Sequence, residues 1–144
     1  MRGYLHAPEA TAAMLDPDGW LRTGDLCRAD ADGYLYVVDR VKELIKYKGL
    51  QVAPAELEAV LLAHPQVTDA AVVRSPDEEA GEVPKAFVVA KGPLDAETVM
   101  AWVAERVAPH KKVRRVELVA EIPKAPSGKI LRRLLVDRDR AAAG

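Results

Sequence analysis

Apolar positions along this chain fall into short groups separated by proline, glycine and acidic residues. Residues 8–15, opened by Pro8, predict a short helix, and Asp16-Pro17-Asp18-Gly19 ends it as a turn. Residues 20–28 and 34–38 predict two strands joined at the hairpin loop Asp30-Ala31-Asp32-Gly33. A charge-dense connector, residues 39–43, marks a candidate domain boundary. Beyond it, residues 44–46 and 51–52 flank Tyr47-Lys48-Gly49-Leu50 and suggest a second small hairpin. Pro54 opens a helix over residues 54–63 that carries Leu57, Val60, Leu61 and His64 on one face, and Pro65 closes it.

The second half alternates poorly, the pattern of strands buried on both faces. Residues 67–74 and 83–90 predict two such strands around an acidic loop at residues 76–81, and residues 116–119 predict a third. Between them Asp95 is placed to cap a helix carrying Val99, Trp102, Val103, Arg106 and Val107. Ser127 is placed to cap a last helix through Ile130, Leu131, Leu134 and Leu135, and residues 141–144 read as a frayed end. From Pro54 onward the order is helix, strand, strand, helix, strand, helix. That order predicts an α+β fold, a three-stranded sheet covered by helices with a β-hairpin beside it.

Composition narrows the class. With 21 Lys+Arg against 22 Asp+Glu in 144 residues, the net charge of -1 argues against a dedicated nucleic-acid binder. A hydrophobic share of 49% with no long apolar run argues against disorder and against a membrane span. Cys27 is the single cysteine and is expected to be structural, and no signal peptide opens the chain, so a reducing, cytoplasmic setting is expected. His6, His64 and His110 lack metal-ligand spacing, and no metal site is expected. The nine glycines are scattered and there are only two serines, so no glycine-rich phosphate cradle is present. Gly128-Lys129 is followed by Ile130, and Pro123 stands where a P-loop would begin with glycine. Any phosphate loop therefore lies elsewhere, which hints at a fragment.

Four places can carry chemistry. Asp25 in Thr23-Gly24-Asp25 either accepts hydrogen bonds from a diol or satisfies turn amides. Arg40 lies in a connector that is either solvated or a hinge with a planar donor fork. Lys46 and Gln51 flank Gly49, which either makes a turn or admits a ligand close to the backbone. Pro123-Lys-Ala-Pro-Ser-Gly-Lys129 sets Lys129 on an irregular loop, suited to a carboxylate or phosphate whose charge changes. At a helix start that lysine would oppose the helix dipole. Eight Lys/Arg against two Glu over residues 110–133 form either a polyphosphate-attracting strip or a solvated face.

Three stretches, in this order, resemble one family. They are residues 19–25 (Gly-Trp-Leu-Arg-Thr-Gly-Asp), residues 38–58 (Val-Asp-Arg-Val-Lys-Glu-Leu-Ile-Lys-Tyr-Lys-Gly-Leu-Gln-Val-Ala-Pro-Ala-Glu-Leu-Glu) and residues 122–132 (Ile-Pro-Lys-Ala-Pro-Ser-Gly-Lys-Ile-Leu-Arg). They resemble the C-terminal motifs of adenylate-forming enzymes, the 4-coumarate–CoA ligase subgroup above all, with fatty acyl-CoA synthetases and beetle luciferase as relatives. The resemblance implies a lid domain that rotates between two half-reactions. A small carboxylic acid first reacts with ATP, which carries Mg, to give an acyl-adenylate and pyrophosphate; coenzyme A then displaces AMP. Carried over, Asp25 and Arg40 bind the ribose hydroxyls, Lys42 is the hinge, and Lys129 serves adenylation. After rotation, Lys46, Lys48, Gly49, Leu50 and Gln51 face the site. The resemblance makes residues 1–38 the end of a large N-terminal domain and residues 39–144 the lid. The phosphate loop and acyl pocket belong to the N-terminal domain, so the chain alone is expected to be inactive. Alternatives are the lid of a peptide-synthetase adenylation module, and a free-standing interaction module.

Overall fold

A computed structural model describes residues 1–143. Helix α1 (Pro8–Met14) starts at its proline as expected. Strands β1 (Asp25–Ala29) and β2 (Leu35–Arg40) pair antiparallel across the loop at Asp30. The first strand begins five residues later than the sequence suggests. Gly24 takes a left-handed φ of 75°, which breaks the extended run, and residues 20–24 lie outside the named strands, with Leu21 in an isolated bridge to Leu15. The second runs on through Asp39 and Arg40, so the first two of the connector's five residues are strand.

Strands β3 (Ile45–Tyr47) and β4 (Leu50–Val52) form the expected small hairpin. Lys48 (φ 47°) and Gly49 (φ 80°) are both left-handed, the signature of a two-residue type I′ turn. Helix α2 (Pro54–Leu62) leads into β5 (Val67–Asp77) and β6 (Gly81–Ala90), both longer than expected. Helix α3 (Ala96–Ala104) is capped by Asp95, whose carboxylate accepts the Thr98 N–H at 2.8 Å; it ends before Arg106 and Val107. A 3-10 turn at Pro109–Lys111 precedes β7 (Arg115–Leu118), and α4 (Arg132–Ala143) closes the chain. Residues 141–143 are helical instead of frayed, and Gly144 lies outside the described residues.

Strand β6 organises the sheet. It pairs antiparallel with β5 along one edge. Along the other it pairs parallel with β7 and, at Tyr47–Gly81, antiparallel with β3. The sheet therefore has five strands in place of three, because the small hairpin is joined to it. Alternation along β5 and β6 splits the core into two. On one face Ala70, Val72, Ala86 and Val88 pack with Ile45, Val52, Leu57, Leu61, Val99 and Val103. On the other, Ala71, Val73 and Phe87 pack with Ile122 and Leu135. Burial of both faces is why these strands read as continuous apolar runs.

Helix α4 is fastened to the sheet by charge as well as by Leu135. The Lys85 ammonium donates to Asp139 at 2.7 Å and to Glu117 at 2.8 Å. Burial alone would raise both carboxyls, but Lys85 outweighs it and holds them below the usual carboxylate range. His64, expected at a helix end, is buried there; its Nδ1 accepts the Gln66 N–H at 3.1 Å and its ring meets Trp102 edge-on. Cys27, expected to be structural, is exposed on β1. Among the described residues no member of β1 or β2 is buried, so the Cys27 thiol has no core to enter.

Candidate functional site

Asp25 and Arg40 are direct cross-strand partners, because the β1–β2 register sets the first residue of one strand against the last of the other. Arg40 Nε lies 3.1 Å from Asp25 Oδ1, with the arginine largely in solvent and the carboxylate mostly covered. Together they present acceptor oxygens beside free guanidinium donors, which suits a diol. The chain then turns: Glu43 N–H donates to Arg40 O at 2.9 Å, and Lys42 stands exposed in that turn. Asp39 ties the turn to helix α2. Its Oδ2 accepts the Ala55 N–H at 3.0 Å, capping α2, whose own Ala53 offers no side-chain cap. Sequence reasoning missed this cap, since its partners are 16 residues apart.

On the β3–β4 hairpin, Lys46 and Gln51 stand directly opposite each other. Glu82 Oε2 accepts the Lys46 backbone N–H at 2.9 Å, and Ala80 O accepts that of Lys48 at 3.1 Å. The Lys48 ammonium pairs with Glu79, which holds it above the usual lysine range. Nothing lies within 4 Å of where a Gly49 Cβ would sit, so Gly49 is needed here for its φ and not for space. Leu50 is exposed at the tip.

Lys129 does not sit at a helix start. Gly128 N–H donates to Ala125 O and Ala125 N–H to Lys129 O, both at 2.8 Å, and Lys124 bridges Ile130. This is a three-residue hairpin loop with Gly128 left-handed at φ 82°. Pro126 favours the turn and Gly128 completes it, so Ser127 is a turn residue and no cap, and α4 begins three residues after Lys129. Lys129 therefore stands outside the helix and does not oppose its dipole from a first-turn position. Lys129 is exposed, while Ile122 and Ile130 on either side of the loop belong to the second core. The Lys46 hairpin is anchored through Ile45 and Val52 in the first. The two lysine-bearing loops thus hang from opposite faces of one sheet.

A half-buried ion pair, also missed from sequence, physically joins two of the family-like stretches. Arg132, first in α4, donates to both Glu58 oxygens at 2.7 Å, and Glu58 Oε1 also accepts the Val72 N–H at 2.8 Å. Burial raises the Glu58 carboxyl by more than Val72 and Arg132 lower it. The basic strip largely dissolves into partnerships: Lys111 with Glu56, Arg115 with Asp77, Lys124 with Asp69 and Arg132 with Glu58. Among the described residues no group of three or more His, Cys, Asp or Glu is arranged to hold a metal ion. No helix among them is long and apolar enough to cross a membrane.

Comparison with known proteins gives concordant results. The AMP-binding enzyme C-terminal domain profile matches residues 56–129. The chain is 60% identical over 138 residues to a probable CoA ligase, CCL5, of Humulus lupulus, covering 94% of this chain and 25% of that protein. It is 59% identical over 138 residues to peroxisomal OPC-8:0-CoA ligase 1 of Arabidopsis thaliana, with coverage of 94% and 25%. The chain thus spans about a quarter of the length of the curated relatives it matches. Among solved structures, ATP-bound MatB from Rhodopseudomonas palustris superposes with a TM-score of 0.91 at 29% identity, covering 99% of this chain and 29% of that one. The o-succinylbenzoate CoA synthetase MenE from Bacillus subtilis, in complex with its acyl-adenylate OSB-AMP, gives 0.86 at 38% identity, covering 94% and 28%.

Proposed function

The chain belongs to the AMP-binding enzyme C-terminal domain family, and from that premise we propose that it is the rotating lid of an ATP-dependent carboxylate–CoA ligase. In this reading residues 1–38 end the large N-terminal domain and residues 39–144 are the lid. The observation that carries it is the placement of the Lys129 loop and the Lys46 hairpin on cores at opposite faces of one sheet, with an exposed turn at Lys42 before both. One rigid body can then offer two different cations to a single site by turning.

In the first half-reaction a carboxylate oxygen attacks the α-phosphorus of ATP and pyrophosphate leaves. Two anions must approach, and the Lys129 ammonium offsets their repulsion and the charge that builds on the phosphate. Asp25 accepts from the ribose hydroxyls and Arg40 donates to the nucleotide, their mutual contact holding both in place. In the second half-reaction the coenzyme A sulfur attacks the acyl carbon and AMP leaves. The hairpin then lies against the site, Lys46 and Gln51 supplying donors and the Lys48-Gly49-Leu50 backbone lining the thiol's approach. Magnesium arrives with ATP, and we assign its ligands, the phosphate loop and the acid pocket to the N-terminal domain. Cytoplasmic placement belongs to the same proposal, and imaging of the tagged complete protein distinguishes it from the peroxisome named for one relative.

The test separates the half-reactions. In the complete enzyme, Lys129→Ala is expected to slow adenylate formation at least about 100-fold, the scale of losing one electrostatic stabiliser. Thioester formation from supplied acyl-adenylate should change little. Equal loss in both would sink the role given to Lys129. The 144-residue chain alone is expected to show no pyrophosphate exchange, and family-like turnover would overturn the division into domains.

A further inference from the structure

The turn between β5 and β6 has a second task. Beside a two-residue hairpin turn, the flanking pair Tyr47 and Leu50 exchanges hydrogen bonds and the next pair, Lys46 and Gln51, does not. The Lys46 N–H therefore points away from β4, toward β6, as does that of Lys48 two residues on. Both are received where the β5–β6 turn enters β6: Lys48 by the carbonyl of Ala80, the last turn residue, at 3.1 Å and Lys46 by the Glu82 carboxylate at 2.9 Å. Backbone pairing between β3 and β6 is confined to Tyr47–Gly81. Glu82 thus stands in for the carbonyl a longer ladder would supply. Among the described residues it makes no ion pair, and its side chain's hydrogen bond is to the Lys46 amide. An acidic side chain set beside a lysine-bearing hairpin, yet spent on a backbone amide, is placed for geometry and not for charge.

We propose that Glu82 is a positioning residue for thioester formation, fixing the Lys46–Gln51 hairpin to the central strand so that its donors are held in place when the lid turns. The inference rests on the lid reading above. A charge-assisted hydrogen bond to a backbone amide fixes both distance and direction. Ile45 and Val52 root the base of the hairpin in the core, and Glu82 fixes the Lys46 backbone between that base and the tip held at Ala80.

Glu82→Ala and Glu82→Gln in the complete enzyme test it, with each half-reaction measured separately. Glu82→Ala is expected to slow thioester formation from supplied acyl-adenylate about tenfold, the scale of one charge-assisted hydrogen bond, while adenylate formation stays within about twofold. Glu82→Gln keeps an acceptor oxygen and should restore the thioester rate. In the 144-residue chain, hydrogen exchange at the Lys46 amide should quicken in Glu82→Ala and not in Glu82→Gln. Unchanged thioester formation in the alanine variant, equal loss in both half-reactions, or glutamine as damaging as alanine would each overturn the proposal. The two failures are separable. A wild-type enzyme lacking both half-reactions defeats the lid reading itself, whereas wild-type turnover indifferent to Glu82→Ala defeats only this inference.

Discussion

Glu58 is a carboxylate whose side chain is only 12% exposed, and it is tolerable there because Arg132 and the Val72 N–H occupy its oxygens. Removing the cation leaves a buried charge, so Arg132→Met should destabilise the fold by about 3–5 kcal/mol in urea unfolding followed by Trp102 fluorescence in a Trp20→Phe background. Replacing Glu58 by leucine in the same chain should recover most of that loss, since the charge needing a partner is gone. The sign of the pH dependence follows from burial. A carboxyl whose folded value is raised contributes stability at low pH that is lost as pH rises from the ordinary carboxylate value through the raised one. Arg132→Met widens that window, and the variant should gain stability on mild acidification more steeply than wild type. Neither partner's role was legible in the sequence, although both lie in the family-like stretches, because their separation of 74 residues is bridged only by the fold. The cap from Asp95 to Thr98 was legible because its partners are three residues apart.

The loops Asp16-Pro-Asp-Gly-Trp20, Asp30-Ala-Asp-Gly-Tyr34 and Ala125-Pro-Ser-Gly-Lys129 share one geometry. In each, the glycine N–H returns to the first residue's carbonyl, and the first residue's N–H goes to the last carbonyl. The first two were legible as turns because an aspartate begins each and accepts two backbone amides through its side chain. In the third, alanine takes that place, and Ser127 before an apolar run imitates a helix cap. Gly128 has open space around it but a φ of 82°, so Gly128→Ala should cost about 1–2 kcal/mol by thermal unfolding, and Gly128→Asn less. Loosening this loop should slow adenylate formation in the order Gly, Asn, Ala; the absence of any ranking would show that the loop's shape does not position Lys129. Behind the loop, α4 is held by Lys85 between Asp139 and Glu117. Their lowered folded values mean stability that is present above the ordinary carboxylate range and lost as pH falls through them. The urea midpoint should therefore drop as pH falls through and below the ordinary carboxylate range, with the Glu58 contribution opposing it. In Lys85→Met the drop should flatten or reverse, because Asp139 is left buried without its ammonium.

Across the whole chain, burial begins abruptly. Among the described residues none before Leu44 is buried, while Leu5, Trp20, Tyr34, Leu35 and Val37 are each at least two-thirds exposed. In the proposed reading, this apolar surface is the part that the rest of the N-terminal domain covers. Both cores draw on residues from Ile45 onward, so cooperative stability belongs to that part. Amide exchange in the 144-residue chain should split accordingly, with β5 and β6 slow and β1 and β2 fast. The boundary can be located more finely through Asp39, which sits at the end of β2 yet caps α2. A chain starting at Asp39 should keep the unfolding midpoint of the 144-residue chain, because what it lacks contributes no buried residue. Asp39→Ala in the full 144 residues should lower lid stability by about 1 kcal/mol, the scale of a lost N-cap. Asp39→Asn, which retains an acceptor, should lower it less. Because this contact crosses the proposed hinge at Lys42, it stabilises the lid only in the hinge setting that brings Asp39 to Ala55. An Asp39→Ala lid as stable as wild type would mean that α2 does not depend on the strand before the hinge, and that the connector is free on both sides.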